Sequence, residues 1–264
     1  MNQFVILLVS ITVIFTNSIA VAADESNLTV VAGIDFGFKQ SSLNITDRNG
    51  PLAYTVSPNY ITLIPSITLA YGKIYSSLSY DTPLTESHTT FHGRTDNNEP
   101  FYSDRAYLRQ EATLTLGYRV LPALNIFIGQ IRGESKIRQV DYRLVAGVPV
   151  GTWKPEPKDI GFEATGNFAG FSSSYSFDGK GTLSFSAAYA GLTARKIDTD
   201  DKGPIAAKSQ PANGFSTSLA WSGPMSDSVF YNVGYRYARY FYIFDELNIE
   251  EPIRGWTIGV RKYF

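Results

Sequence analysis

The sequence contains no cysteine, two histidines (His88 and His92) and two methionines. Without cysteine there are no disulfides, and the acylated N-terminal cysteine of a lipoprotein is excluded. Charge is sparse: 18% of residues are charged and the net charge is −1. No basic field therefore argues for nucleic acid as a partner. No segment reaches the roughly 20 apolar residues that a membrane-spanning helix needs. Helical periodicity is nearly absent. A Walker loop, a Gly-x-Ser-x-Gly elbow and an Asp-His dipeptide are all missing, so no ready-made catalytic motif is present.

What the chain has in quantity is Tyr and Phe, 17 of each, with 22 Gly and 13 Pro. Aromatic side chains suit a pleated surface, and Gly and Pro suit many turns. Residues 1–22 read as a secretory signal peptide, with an apolar core from Phe4 to Phe15 and a small-x-small site at Ala20-Val21-Ala22, although Lys and Arg are absent from its start. The expected domains are thus a cleaved signal peptide, 1–22, and one β-domain, 23–264.

Period-two alternation fills the remainder. In LTVVAGIDFGFK, Val30, Ala32, Ile34, Phe36 and Phe38 oppose Gly33, Asp35, Gly37 and Lys39. In RAYLRQEATLTLGYRV, Ala106, Leu108, Ala112, Leu114 and Leu116 oppose Tyr107, Arg109, Glu111, Thr113 and Thr115. In NIFIGQIRGESK, the pattern sets Phe127, Gly129 and Ile131 against Gln130, Arg132 and Glu134. Connections alternate between short, at Gly72, Leu121, Asp178 and Gly223, and long. The fold expected is all-β: a single transmembrane antiparallel up-and-down barrel of ten strands, with short turns at one end and longer loops at the other. Twelve strands is the alternative, if YRLVAGVPVGTW adds a strand or GFEATGNFAGFSSSYSF folds in two.

The apolar face is read as lipid-facing and the polar face as lumenal. Gln110 and Arg239 fall on the apolar face, but about ten residues of tilted strand, at roughly 2.4 Å of height each, carry them to the far rim of a band ~25 Å tall. Lys262 lies at the near rim and can snorkel. If Val120 pairs with Ala123, then Arg109 faces Glu134 and Glu111 faces Arg132 across the hairpin. Asp35 and Arg236 stand at similar heights near the closure. With Arg261, these residues form the expected lumenal charge network: Asp35, Arg109, Glu111, Arg132, Glu134, Arg236 and Arg261. It either fills the interior with paired charges or acts as a constriction.

The chain ends RGWTIGVRKYF, which resembles the C-terminal strand of Gram-negative outer-membrane β-barrel proteins. In that class the last strand alternates apolar residues and terminates in Phe. Trp256, Ile258, Val260 and Phe264 match; Lys262 stands where an aromatic is common, and Tyr263 sits one place late. The resemblance implies outer-membrane localisation, assembly through this strand by the barrel-assembly machinery, and outer-membrane lipid and lipopolysaccharide as surroundings. The ten-stranded omptin proteases are similar in strand count and use acidic residues with a His at the outer rim; barrel lipid hydrolases and acyltransferases pair a His with a Ser. Here His88 and His92 share one long loop with Asp81, Glu86, Asp96 and Glu99, and no third metal ligand stands at a fixed spacing. Asp198, Asp200 and Asp201 do not match a calcium loop. The expectation is a monomer without catalysis, metal or cofactor, serving envelope structure, surface interaction or slow passage of small solutes. A porin-like diffusion channel is the first alternative and an omptin-like or lipid-modifying enzyme the second.

Overall fold

A computed structural model of the chain describes residues 28–47, 53–94, 100–145, 148–152, 158–200, 203–206, 209–245 and 247–264. The expected signal peptide, Trp153 and Asp201 lie outside the described residues, as do the side chains of His92, Asp198 and Asp200. Fifteen strands are present among the described residues: β1 (Leu28–Ser41), β2 (Leu43–Asp47), β3 (Ala53–Val56), β4 (Asn59–Tyr71), β5 (Ile74–Pro83), β6 (Ser87–Arg94), β7 (Pro100–Leu121), β8 (Leu124–Val145), β9 (Val148–Thr152), β10 (Lys158–Phe177), β11 (Gly181–Asp200), β12 (Gly203–Ala206), β13 (Gln210–Pro224), β14 (Val229–Ile243) and β15 (Leu247–Tyr263). Among the described residues there is no helix.

Ten of these strands form the wall, in the order β1-β4-β5-β7-β8-β10-β11-β13-β14-β15, and β15 pairs back onto β1. Closure satisfies the edge groups that an open sheet would leave bare. Every wall pairing is antiparallel, joining strands consecutive along the wall. β2, β6, β9 and β12 pair with β15, β7, β8 and β11 beyond the wall, and β3 pairs with β2. The candidate extra strand near Val148 is thus a loop-side ribbon, β9, and β10 runs unbroken, so the wall has ten strands rather than twelve. The polar stretch from Thr82 to Asp104 is less irregular than its composition implies: β6 lies in it, and β7 begins at Pro100. Strands that outrun the apolar belt need no apolar face.

The turn end is tight. Gly72 and Gly179 take φ of 55° and 68°, a left-handed conformation that costs glycine no Cβ clash. Above the turns the outer face is apolar and exposed, with Ile34, Phe36, Phe38, Leu114, Leu116, Ile126, Ile128, Phe185 and Leu219 among its members. Pro65 also faces outward. The β4–β5 ladder skips Pro65/Tyr80 and Ile64/Asp81 and resumes at Leu63↔Thr82, because proline has no N–H to donate.

The β7–β8 hairpin departs from the expected register. Leu121 pairs with Leu124 and Arg119 with Asn125, with Val120 as the extra residue of a bulge. The body of the ladder is therefore one residue out of the predicted step: Gln110 faces Glu134, and Arg109 faces Ser135. A one-residue slip exchanges the two faces of a strand. On β8, Phe127, Ile131 and Ile137 turn inward and are buried, while Ile126, Ile128, Arg132 and Glu134 turn outward.

The interior is consequently not uniformly polar. Phe127 meets Phe168 edge-on at 6.1 Å on the β8–β10 side. Toward the loop end, Leu43, Ile45, Val56, Ile137, Phe162, Phe244 and Ile249 belong to a continuous buried apolar cluster. Where the strands outrun the belt, their inner face is packed like the core of a soluble protein.

Candidate functional site

The β1/β15 closure sets small residues against large ones. Asp35 is paired with Gly259, Lys39 with Gly255 and Arg261 with Gly33. A Cβ on Gly259 would sit 2.0 Å from Asp35 Oδ1 and 2.4 Å from the Ile34 carbonyl. Glycine there lets the buried Asp35 side chain lie across the neighbouring strand. Arg261 Nη2 donates to Asp35 Oδ2 at 3.3 Å, and Asn232 Nδ2 donates to Asp35 Oδ1 at 3.3 Å.

Further toward the loops the lumen is crossed by a layer centred on Glu251, which is completely buried. Its carboxylate accepts from Arg109 Nη1 at 2.6 Å, Tyr107 OH at 2.6 Å, Tyr242 OH at 2.7 Å and Ser135 Oγ at 2.8 Å. Four donors come from β7, β8 and β14 to one residue of β15, so the contacts tie opposite arcs of the wall together. Arg109 Nη2 donates to Glu111 Oε2 at 3.0 Å, and its guanidinium lies 4.7 Å from the Tyr240 ring centroid. Glu111 also accepts from Tyr240 OH at 2.9 Å and pairs with Arg236 Nη1 at 2.9 Å. Lys39 pairs with Asp81 on the β1/β5 side. Lys39, Arg109, Arg236 and Arg261 thus stand against Asp35, Asp81, Glu111 and Glu251, and these eight charges balance. Buried charges are tolerable when paired and hydrogen-bonded in this way.

Of the network expected from sequence, Asp35, Arg109, Glu111, Arg236 and Arg261 lie in the lumen. Arg132 and Glu134 do not. The bulge at Val120 puts them on the outer face, where Arg132 pairs with Glu163 at 2.6 Å and Glu134 with Lys136 at 2.9 Å. Gln110 Nε2 donates to Glu134 at 2.7 Å, and Arg195 reaches Glu163 at 2.7 Å. On the far side of the barrel, Arg239 pairs with Glu250, and Arg254 donates to Gln40. These outward polar contacts mark the loop-side edge of the apolar belt, the height at which charge costs little.

Sequence reasoning missed Glu251, Tyr107, Tyr240, Tyr242, Asp81 and Lys39 as members. Parity carries the signal for most of them: Tyr107 shares the face of Arg109, and Tyr240 and Tyr242 share the face of Arg236. Glu251 had none, since DELNIEE reads as a loop, whereas β15 runs through it.

A cavity beside the layer is lined by Asp35, Lys39, Asp81, Arg236 and Asn232, with Tyr60 and Ile64 as apolar wall; the space open to the centres of water molecules is about 50 Å³.

At the loop rim, His88 is more than half exposed, with Nδ1 3.3 Å from Asp104 and Nε2 3.8 Å from Glu86. No group of three or more His, Cys, Asp or Glu side chains suited to a metal occurs among the described residues. On the outer face of β15, Trp256, Ile258 and Val260 point outward and Trp256 meets Tyr235 at 5.1 Å; at the turn end the Phe264 N–H donates to the Val30 carbonyl at 2.9 Å. Lys262 lies 4.9 Å from the Phe264 ring centroid.

No family model matches the chain, and no curated protein matches it. Among solved structures, the outer-membrane protease OmpT from Escherichia coli is similar over 96% of this chain and 99% of its own, with a TM-score of 0.64 and 13% identity. Neisserial surface protein A is similar over 90% of this chain and 97% of its own (TM-score 0.37, 11% identity), and the toluene transporter TodX from Pseudomonas putida over 96% and 95% (TM-score 0.36, 10% identity). The last two are too distant in shape to carry an argument. The chain has the fold of a bacterial outer-membrane β-barrel, closed by ten antiparallel strands.

Proposed function

We propose that the chain is an integral protein of the Gram-negative outer membrane whose lumen is held shut. Its work then falls to the loop side, in envelope structure or surface interaction. In this reading residues 1–22 direct export, and the strand ending at Phe264 is recognised by the barrel-assembly machinery. The mature chain is a monomer whose surroundings are lipid and lipopolysaccharide. The observation that carries closure is the Glu251 carboxylate, which is buried and bonded by four donors. Ions cannot pass that level without breaking contacts in a site remote from water.

Planar-bilayer recording tests this. The purified wild-type barrel is expected to show no stable unitary steps. Reproducible open steps would overturn closure and favour the diffusion channel. Fractionation of intact cells tests localisation: the chain is expected in the outer-membrane fraction, shortened by its first 22 residues.

A second reading has one observation in its favour. His88 and Asp104 at the exposed rim form the kind of pair in which a carboxylate orients an imidazole base. Under the leading reading the wild-type barrel hydrolyses neither peptide nor phospholipid faster than empty micelles. Activity that disappears in His88→Ala would instead establish a rim enzyme.

A further inference from the structure

The inner face of the β4–β5 hairpin carries polar atoms that the charge layer leaves unused. Asp81 is 3% exposed and lines the cavity; its Oδ2 meets Lys39, while its Oδ1 has no partner in the protein. The hydroxyls of Thr62 and Ser79, each one inward position from a cavity-lining residue of the same hairpin, are also buried and unpartnered. The ladder skips at the same level, because Pro65 brings no N–H to the Tyr80 backbone. Buried polar atoms are nearly always hydrogen-bonded, so a concentration of bare ones beside a cavity marks a place where something else supplies the partner.

Charge and size narrow what that is. The cavity wall holds Lys39, Arg109 and Arg236 against Asp35, Asp81 and Glu111. A guest with net charge would unbalance these pairs. A neutral guest rich in hydroxyls brings a donor for Asp81 Oδ1, which lines the cavity, and adds no charge. The space open to water centres is about 50 Å³, and one water needs roughly 10–15 Å³ on that measure. The cavity therefore takes about three to five water-sized groups. We propose that it is a binding site for a small neutral polyol, of triol to tetritol size, anchored on Asp81. This site does not depend on which role the loop side serves.

Saturation-transfer NMR on the full barrel in a sugar-free amine-oxide micelle, with glycerol as the probe, tests it. Wild type is expected to transfer saturation to glycerol. Transfer is expected to fall at least fivefold in Lys39→Met/Asp81→Leu, which removes both members of the ion pair and strands neither. If that variant does not fold, wild type decides by size: erythritol competes with glycerol, and mannitol does not. No transfer in wild type would show that the cavity holds water only and would overturn the proposal. So would equal transfer in wild type and a folded variant, or competition by mannitol as strong as by erythritol.

Discussion

Glu251 gathers several arcs of the lumen at one residue, because its two oxygens serve Arg109, Tyr107, Tyr242 and Ser135 together. Removing the carboxylate takes from the buried Arg109 one of its two carboxylate partners and from three hydroxyls their charged acceptor. Glu251→Ala is expected to lower stability by about 3–5 kcal/mol, the range for breaking one side of a buried pair. Urea unfolding in micelles, read by the heat-dependent shift in gel mobility, measures it. Glu251→Gln keeps the shape but turns one acceptor into a donor, so a smaller loss is expected. A loss within error for Glu251→Ala would mean that the layer does not hold the barrel together. At this scale the sequence was informative wherever alternation was clean. Arg109, Glu111, Asp35 and Arg236 are all inward, as parity requires. Glu251 was illegible because strand and loop compositions converge once a strand leaves the membrane.

Along single elements, register decides which charges can meet. The run Ile126-Phe127-Ile128 is apolar on both parities, so β8 carries no preference for either face near its turn. Val120, as a bulge, makes the choice, and Arg132 and Glu134 go outward. The chain lacks cysteine, so engineered pairs report register without background. Gln110→Cys/Glu134→Cys is expected to form a disulfide readily, since directly opposed residues stand about 4.5–5.5 Å apart at Cα. Arg109→Cys/Glu134→Cys is expected to form none, because those side chains point to opposite faces. The reverse pattern by mass spectrometry would restore the unbulged register. The closing seam has its own test. Gly259→Ala drives a methyl into Asp35 and the Ile34 carbonyl and is expected to cost about 1–3 kcal/mol. The readout is a lower urea midpoint and a larger share of unclosed barrel on an unheated gel.

For the whole molecule, the belt of exposed apolar side chains is the property on which membrane residence rests. Ile128 is 59% exposed and four residues above the start of β8, near the middle of the belt; Arg132, four residues higher on the same face, already finds Glu163. Ile128→Arg is expected to destabilise the barrel in phospholipid vesicles by about 2–4 kcal/mol, the midplane penalty for arginine. In a water-soluble barrel the same exposed substitution would be nearly neutral. Tryptophan fluorescence during urea titration in vesicles separates the two. The proposed closure of the lumen is also a whole-molecule property, since it needs β7, β8, β14 and β15 at one height.

Composition and period were enough to determine the class, the leading count of ten wall strands, the lipid-facing side of β1, β7 and β14, and the lumenal side of Asp35 and Arg109. Those features follow from alternation and turn chemistry, which are local and repeat along the chain. The tertiary structure alone decided the faces of β8, the extension of β15 through Glu251, and the apolar core above the charge layer. Each depends on how distant strands come into register around a closed wall, and a single bulged residue changes that register without altering the pattern of either strand.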